Sequence, residues 1–212
     1  RGGATIALAA AIAHPGRVAG LVLHEPALGT LAGILNSRLR EAAAMVAAAG
    51  PTSMEAVFQT RRPTEPGKWQ AIVIHHSGSL YGTPASIEAQ HRAMNLDGLG
   101  FHFVVGNGAG LSDGEIHVGY RWLDQLPGAH VAGPKGDWYN RNSIGICLVG
   151  DGRRKGFTEE QMLRLTQLVS ALCERLNIPT DHVYLHSDLT QVEDPGRLFP
   201  EAAFREQLVR SR

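Results

Sequence analysis

The sequence predicts an α/β fold in which a mixed central β-sheet is flanked by helices, preceded by a small helix–strand–helix segment. Three observations lead to this prediction. After residue 68, short apolar runs typical of strands alternate with helical segments. The longest helical segment carries apolar residues at three-and-four spacing, which is typical of a helix packed on a sheet. A stretch with two prolines and a glycine at 61–68 separates this region from an alanine-rich one, so we place a linker there.

Local signals predict the elements of the second region. Thr83 is an N-cap residue followed by proline at the first helical position, and Thr158 begins a capping-box pattern. The predicted helices are Thr83–Asn95, Thr158–Leu176 and Glu201–Arg210. The predicted strands are Trp69–His75, Gly100–Asn107, Glu115–Gly119, Ser143–Gly150 and Val183–His186. We therefore expect a single domain over residues 69–212.

Residues 1–60 have a different character. A helix over Gly3–His14 is ended by Pro15, a strand is predicted over Val18–His24, and a helix over Leu31–Ala49 ends at a Gly-Pro pair. The run RGGATIALAAAIAHPGRVAGLVLHEPAL resembles the helix and strand that follow the nucleophile elbow of α/β-hydrolases. The nucleophilic serine of that family would lie before Arg1, so we expect this fragment to be non-catalytic.

Composition narrows the function classes. The 212-residue chain is 43% hydrophobic and 19% charged, as expected for a globular protein. It carries 20 Lys+Arg and 20 Asp+Glu, so no charge excess points to nucleic acid. No run approaches the roughly 20 apolar residues of a membrane span. Two cysteines cannot define a disulfide framework, and we expect Cys147 and Cys173 to be buried thiols.

Two histidines end predicted strands, where loops of α/β folds concentrate function. They are His75 and His186, and Asp194 follows eight residues after the second. Two imidazoles and a carboxylate suit zinc, and a fourth open position is typical of a catalytic zinc site. Spacing alone leaves the alternative open, because a histidine at a strand end is often only structural.

Five ordered sequence blocks carry a resemblance to a known family. They are IVIHHSG at 72–78, GLGFHFVVGNG at 98–108, GAHVAG at 128–133, YNRNSIGICLVGD at 139–151 and HSDLTQVEDPGRLFP at 186–200. In this order they resemble the zinc-dependent N-acetylmuramoyl-L-alanine amidases and the related peptidoglycan-recognition proteins. The resemblance covers about residues 69–200.

This resemblance implies a function. It makes His75, His186 and Asp194 the ligands of Zn²⁺, with aspartate at a position where relatives carry cysteine or aspartate. The implied reaction is hydrolysis of the amide between N-acetylmuramic acid and L-alanine, in intact peptidoglycan or in muropeptides. If intact peptidoglycan is the substrate, the protein is expected in the cell envelope or outside the cell. If muropeptides are the substrate, it is expected to recycle them in the cytoplasm.

Three positions depart from the family pattern. Phe101 stands where phage-type amidases carry tyrosine, and Val192 stands where they carry lysine or threonine. Cys147 occupies the position of a glutamate base used by another branch of the superfamily. These departures keep an alternative open: a non-catalytic, zinc-containing module that binds peptidoglycan. Two other residues could replace the missing groups, Glu193 as a general base and His130 as a substrate-binding residue.

The remaining candidates have alternative interpretations. We expect His76 to support the ligands or to pack, because adjacent strand residues point to opposite faces. His102 is expected in the core, and His91 and His182 on the surface. Three aromatic residues are interpreted either as lining of a glycan groove or as packing; they are Trp122, Trp138 and Tyr139.

Overall fold

The computed structural model describes residues 53–210, and the predicted elements before residue 53 lie outside this range. A five-stranded sheet with the order β3-β2-β4-β1-β5 forms its centre. The strands are β1 (Ala71–His76), β2 (Phe103–Val105), β3 (Ile116–Val118), β4 (Ser143–Leu148) and β5 (Val183–Leu185). The prediction of a mixed α/β sheet is confirmed.

Four of the strands run parallel and the fifth does not. β1 pairs in parallel with β4 and β5, β4 pairs in parallel with β2, and edge strand β3 is antiparallel to β2. In this register His75 lies beside Cys147. The carboxyl ends of β1, β4 and β5 therefore meet at one edge of the sheet, which is where ligands bind in open α/β sheets.

Seven α-helices surround the sheet in residues 53–210. They are α1 (Met54–Val57), α2 (Pro84–Ala93), α3 (Tyr120–Leu123), α4 (Gly136–Asn142), α5 (Glu159–Leu176), α6 (His186–Leu189) and α7 (Glu201–Arg210). The predicted caps are confirmed, since Thr83 and Thr158 each form a capping box. Asn177 ends α5 in a left-handed conformation, with φ of 58°. None of these helices combines the length and apolarity needed to cross a bilayer.

The sheet is buried on both faces. Side chains on one face of the sheet pack with α5 and α7 in a large core that includes Ile72, Ile74, Ile144, Ile146 and Leu172. The other face holds a smaller cluster with Val104, Cys147 and Ile87 of α2. Because side chains alternate along a strand, His75 shares this second face and not the larger core. The smaller cluster leaves room there for polar side chains.

The predicted elements differ from the structure mainly in length. β2 covers only three residues of the predicted strand Gly100–Asn107. The predicted strand Val183–His186 stops at Leu185, and a short helix begins at His186. Helices α3, α4 and α6 were not predicted, because helices of four to seven residues are too short to show an apolar period.

Residues 53–68 pack on the same domain as the sheet. Val57 of α1 is fully buried in the large core, and its carbonyl accepts a hydrogen bond of 2.6 Å from Trp122 Nε1. Within the predicted linker, the amide of Arg61 donates to the carbonyl of Leu123 at 2.8 Å. The domain boundary at 61–68 stays a prediction, and so does the division of the chain that follows from it.

Candidate metal centre

The strand end of β1 positions His75. Strand β1 lies between β4 and β5; His75 is paired with Cys147 of β4, and the ladder with β5 ends at the preceding residue, Ile74. The side chain of His75 is 1% exposed and projects from the face opposite Ile74. A histidine in this position has little rotational freedom, which is a requirement for a preorganised ligand.

His186 and Asp194 come from the segment that follows β5. His186 is the first residue of α6, and the loop after α6 returns so that the amide of Ser187 donates to the carbonyl of Asp194 at 2.8 Å. This hydrogen bond closes the loop and brings the aspartate back beside the histidine. The eight residues that separate His186 from Asp194 in the sequence thus correspond to helix α6 and the loop that folds back beside it.

The three predicted ligands converge on one point. The Oδ2 atom of Asp194 lies 3.0 Å from His75 Nδ1 and 2.8 Å from His186 Nδ1. One donor atom from each residue falls within 4.8 Å of the others. In a tetrahedral zinc site with bonds of about 2.0 Å, adjacent donors are roughly 3.3 Å apart. The donor set and its spacing fit Zn²⁺, and ligation by these residues stays a proposal.

The protonation states also suit a cation. Burial lowers the pKa of His75, although the adjacent Asp194 acts in the opposite direction. Burial alone would raise the pKa of Asp194, but His75 and His186 outweigh it and hold this pKa well below its usual value. A neutral imidazole and an ionised carboxylate are the forms that bind a metal ion.

His76 supports the aspartate. Its backbone amide donates to Asp194 Oδ1 at 2.6 Å, and its Nδ1 accepts from the amide of Gly152 at 3.1 Å. The side chain is 8% exposed and lies between Asp151 and Asp194. His76 therefore orients the carboxylate from the opposite side of β1, in agreement with its predicted supporting role.

His130 lies behind His75 and is buried. Its Nδ1 is 3.0 Å from His75 Nε2, and its side chain contributes to the interior of the domain with 8% exposure. A residue that binds substrate directly needs an accessible polar atom. The ring of His130 contacts His75, a candidate ligand. Its substrate-binding role stays a prediction.

Glu193 is exposed and forms no hydrogen bond with the three converging side chains in the described part of the chain. It lines a cavity of about 250 Å³ together with Asp194 and Arg197. The pKa of Arg153 is raised mainly by Asp151, and to a smaller extent by the carboxylate of Glu193. Its role as a general base stays a prediction, since the structure brings it next to Asp194 without directing it to the donor atoms.

Three positions lacking the expected helper groups all lie at this centre. The ring of Phe101 is 5.1 Å from that of His75, and Cys147 is fully buried beside His75 on β4. Burial raises the pKa of the Cys147 thiol well above its usual value, so the thiol stays protonated and cannot act as a base. Val192 is 43% exposed.

A groove of about 410 Å³ lies beside His186. One wall is the loop 132–135, and the other is the segment from α6 to Val192. Its lining is mostly apolar, with Lys135 as the charged residue. Of the three converging side chains, His186 is the one that borders this groove.

The structure decides one open alternative, the role of Trp122, and corrects one surface assignment, that of His91. Trp122 is fully buried in the large core and cannot line a glycan groove, whereas Trp138 is 47% exposed. His91, expected on the surface, is 8% exposed and accepts a hydrogen bond from the amide of Gly100 at 2.8 Å. The local sequence did not indicate this role, because the adjacent residues Gln90 and Arg92 are polar and the bonding partner is a backbone amide outside the helix. His182 is exposed as expected.

His102 is buried in the core, as predicted, with both ring nitrogens paired to backbone. Nδ1 accepts from the amide of Gly145 at 3.0 Å, and Nε2 lies 3.1 Å from the carbonyl of Leu126. Burial lowers the pKa of His102 to about 3. The imidazole therefore stays neutral in the folded protein over the whole physiological pH range.

The burial of His102 predicts acid sensitivity of the metal-free protein. Below pH 6.5 the unfolded chain binds a proton at this residue, but the folded chain does so only near pH 3. The free energy of unfolding should therefore fall as pH drops through this window, by up to about 1.4 kcal/mol per pH unit for each such histidine. Urea unfolding at pH 7, 6, 5 and 4 checks this, and a His102→Gln variant should show a shallower slope. Equal slopes would contradict it.

Comparison with known proteins agrees with this geometry. A model of the family described as N-acetylmuramoyl-L-alanine amidase matches residues 65–197. The endolysin of Enterobacteria phage T3 is 32% identical over 124 residues, which is 54% of this chain and 70% of the endolysin. A peptidoglycan recognition protein of Trichoplusia ni is 30% identical over 105 residues, which is 49% of this chain and about half, 51%, of that protein.

Solved structures show the same fold. The endolysin N-acetylmuramoyl-L-alanine amidase LysCS from Clostridium intestinale aligns with a TM-score of 0.57 and 27% identity, over 76% of this chain and 90% of LysCS. Bumblebee PGRP-SA aligns with a TM-score of 0.51 and 20% identity, over 66% of this chain and 86% of that chain, and this likeness concerns the fold alone.

Fold and site together define an α/β domain with a convergent His-His-Asp cluster at the carboxyl edge of its sheet. Because the family model matches more than half of the chain, the chain belongs to the N-acetylmuramoyl-L-alanine amidase family. The match begins at residue 65, so the resemblance of residues 1–60 to α/β-hydrolases finds no support in it.

Proposed function

We propose that this protein is a zinc-dependent amidase that hydrolyses the bond between N-acetylmuramic acid and L-alanine in peptidoglycan or muropeptides. The observation that carries the proposal is the convergence of two imidazole nitrogens on one carboxylate oxygen, at 3.0 and 2.8 Å, inside a member of this family. We assign His75, His186 and Asp194 as the zinc ligands. Carboxylate in place of thiolate makes the site resistant to oxidation.

Zinc bound by these residues would lower the pKa of a coordinated water to about 7 and polarise the scissile carbonyl. The chain supplies the positioning. His75 and Asp194 are held by buried contacts, while His186 borders the groove through which the substrate amide approaches. The apolar lining of the groove excludes water from the reacting bond, and Lys135 lies where it can attract a carboxylate of the stem peptide.

A second function is favoured by the residues around the cluster. Phe101 and Val192 have no polar side-chain atom that could stabilise a developing oxyanion, and the buried thiol of Cys147 stays protonated, so it cannot accept a proton at neutral pH. Losing one oxyanion donor typically costs about 10²- to 10³-fold in rate. A protein that binds peptidoglycan through the same groove without hydrolysing it is the alternative.

Hydrolysis of a muramoyl-peptide separates the two functions. Zinc-loaded protein should release the L-alanine amine, with a rate about 10²- to 10³-fold below that of a relative with an intact helper group. The free amine is quantified by derivatisation, with His75→Ala as the matched control. Release no faster than in the control, together with retained binding of the muropeptide in calorimetry, would exclude the enzyme and establish the binding module.

The same measurement tests Glu193. As a general base it should be required for the pH dependence of hydrolysis, so Glu193→Gln should lower kcat by about 10²-fold or more. An unchanged kcat in Glu193→Gln would leave the carboxylate as an exposed loop residue with no part in the reaction.

A further inference from the structure

The two buried histidines at the centre of the domain contact each other on the side away from the carboxylate. His75 Nε2 lies 3.0 Å from His130 Nδ1, while His75 Nδ1 lies 3.0 Å from Asp194 Oδ2. The ring planes of the two histidines are nearly perpendicular, at 80°. Both nitrogens of His75 therefore face a polar partner, one at the candidate metal position and one in the interior.

The backbone of His130 is held in place by a single side chain. Asn140 Oδ1 accepts from the amides of His130 and Val131, at 2.9 and 3.0 Å. Asn140 Nδ2 donates to the carbonyl of Val131 at 2.8 Å. These three bonds join the segment that carries His130 to α4, so that the position of the ring does not depend on its contact with His75.

The ring of His130 also fits a space that only glycine leaves open. A Cβ atom on Gly145 of β4 would lie 2.5 Å from His130 Cδ2 and 2.6 Å from Cγ. A Cβ atom on Gly128 would lie 2.7 Å from His130 Nε2. The imidazole thus packs directly against the backbone of the central strand, in a site built from three separate segments.

The position of the proton on His75 determines what the contact with His130 can do. A neutral imidazole carries one proton, and the nitrogen that binds a metal ion must be without it. If Nδ1 of His75 is the ligand, the proton is on Nε2, and the atom 3.0 Å away must accept it. The acceptor is Nδ1 of His130.

We propose that His130 is a positioning residue that accepts the Nε2 proton of His75 and so holds its Nδ1 toward the metal. This inference rests on the proposed function, since it concerns the same zinc site. It differs from a substrate-binding role for His130, because the contact lies behind the ligand and not in the groove. The nearby rings of Phe101 and His102 leave the histidine pair shielded from water.

The charge state of the pair is consistent with this role. Burial lowers the pKa of His130 well below its usual value, and the neighbouring His75 and His102 lower it further. A charged His130 could not accept a proton, whereas the neutral ring can. With Nδ1 as the acceptor, the single proton of the neutral His130 ring is on Nε2, which is buried, and the backbone of Ser143 also bonds to this ring.

The test compares zinc affinity in three variants with that of the wild type. His130→Leu removes the acceptor and should weaken zinc binding about 10- to 100-fold, the usual effect of removing a group that orients a ligand. His130→Asn places an oxygen near the position of Nδ1 and should recover most of the affinity. His91→Leu is the matched control, because His91 has the same 8% exposure and bonds only a backbone amide; its affinity should equal that of the wild type.

Competition with a chromogenic chelator measures affinity, and circular dichroism confirms that each variant is folded. Nitrogen-15 NMR of zinc-loaded wild type gives an independent readout and requires no variant to fold. It should show a slowly exchanging proton on His75 Nε2. A proton absent from that nitrogen, or an affinity of His130→Leu equal to that of the wild type, would overturn the inference while leaving the zinc site intact. Wild-type protein that binds no zinc would overturn the proposed function and the inference together.

Discussion

Replacing Asp194 with alanine is expected to weaken zinc binding by more than about 100-fold, the upper end of the effect of residues that only support a ligand. The reason is that the carboxylate of Asp194 contacts both histidines. Its Oδ2 lies within hydrogen-bond distance of His75 and His186, and its Oδ1 accepts from the amide of His76. The change removes a proposed ligand, which is also the group that bonds to the other two side chains.

A second variant separates ligation from folding. Asp194→Asn keeps an oxygen that can accept from the amide of His76, but it is uncharged and a poor ligand for zinc. It should retain more of the free energy of unfolding than Asp194→Ala, and still lose zinc. Asp181→Ala, which removes an exposed carboxylate outside the site, is the control and should bind one equivalent of zinc.

Atomic emission after gel filtration measures the metal content, and denaturant unfolding measures stability. Full zinc occupancy in both Asp194 variants would refute the assignment of this carboxylate as a ligand. Loss of zinc in Asp194→Ala alone would show that the aspartate acts through the fold of its loop and not through its charge.

Replacing Gly152 with alanine is expected to displace the loop that carries Asp194, although Gly152 is not one of the three candidate ligands. A Cβ atom there would overlap the carbonyl oxygen of Pro195, which directly follows Asp194. The backbone of Gly152 is fixed as well, because its amide donates to His76 Nδ1 and its carbonyl accepts from the amide of Leu198. With backbone on both sides, the overlap is relieved only when the loop that carries Asp194 moves.

We expect Gly152→Ala to cost about 1–3 kcal/mol in the free energy of unfolding, as is typical of overpacking. It should also lower zinc affinity about 10-fold or more, because the carboxylate is displaced from the histidines. The change removes no ligand and no hydrogen-bonding group of the site. Zinc titration and denaturant unfolding of the same sample give both numbers.

Gly156→Ala provides the matched control four residues away. A Cβ atom at Gly156 would meet only the carbonyl oxygen of Leu198, at 3.9 Å, which is ordinary van der Waals contact. This variant should match the wild type in stability and zinc affinity. An effect of equal size in both variants would mean that the loop tolerates no substitution in general, and that the contact between Gly152 and Pro195 has no special importance.

Much of the fold was predictable because its signals are local. The capping residues Thr83 and Thr158 and the apolar spacing of α5 lie within a few residues of what they determine. The short helices α4 and α6 were missed because their formation depends on the tertiary contacts of Asn140 and of the loop carrying Asp194. Four to seven residues are too few for propensity alone to stabilise a helix.

The site divides in the same way. The candidate ligands were predicted from residue types at strand ends and from their place in five ordered blocks. Phe101 and Cys147, two of the positions that lack the expected helper groups, lie beside His75. The contact between His75 and His130 was not predicted, since the residues are 55 positions apart and nothing in either segment indicates the other.

The sequence by itself determined which residue types lie near the ends of which strands, because the apolar runs and the alternation of side chains along a strand are local properties. Only the tertiary structure decided how three segments meet: a strand end, a helix start and a returning loop whose donor atoms lie within 4.8 Å of one another. It also decided that His130 contacts a candidate ligand on the side away from Asp194. The physical reason is that such contacts depend on the packing of the whole sheet. One example is the space that His130 occupies beside Gly145, which is open only because glycine has no side chain.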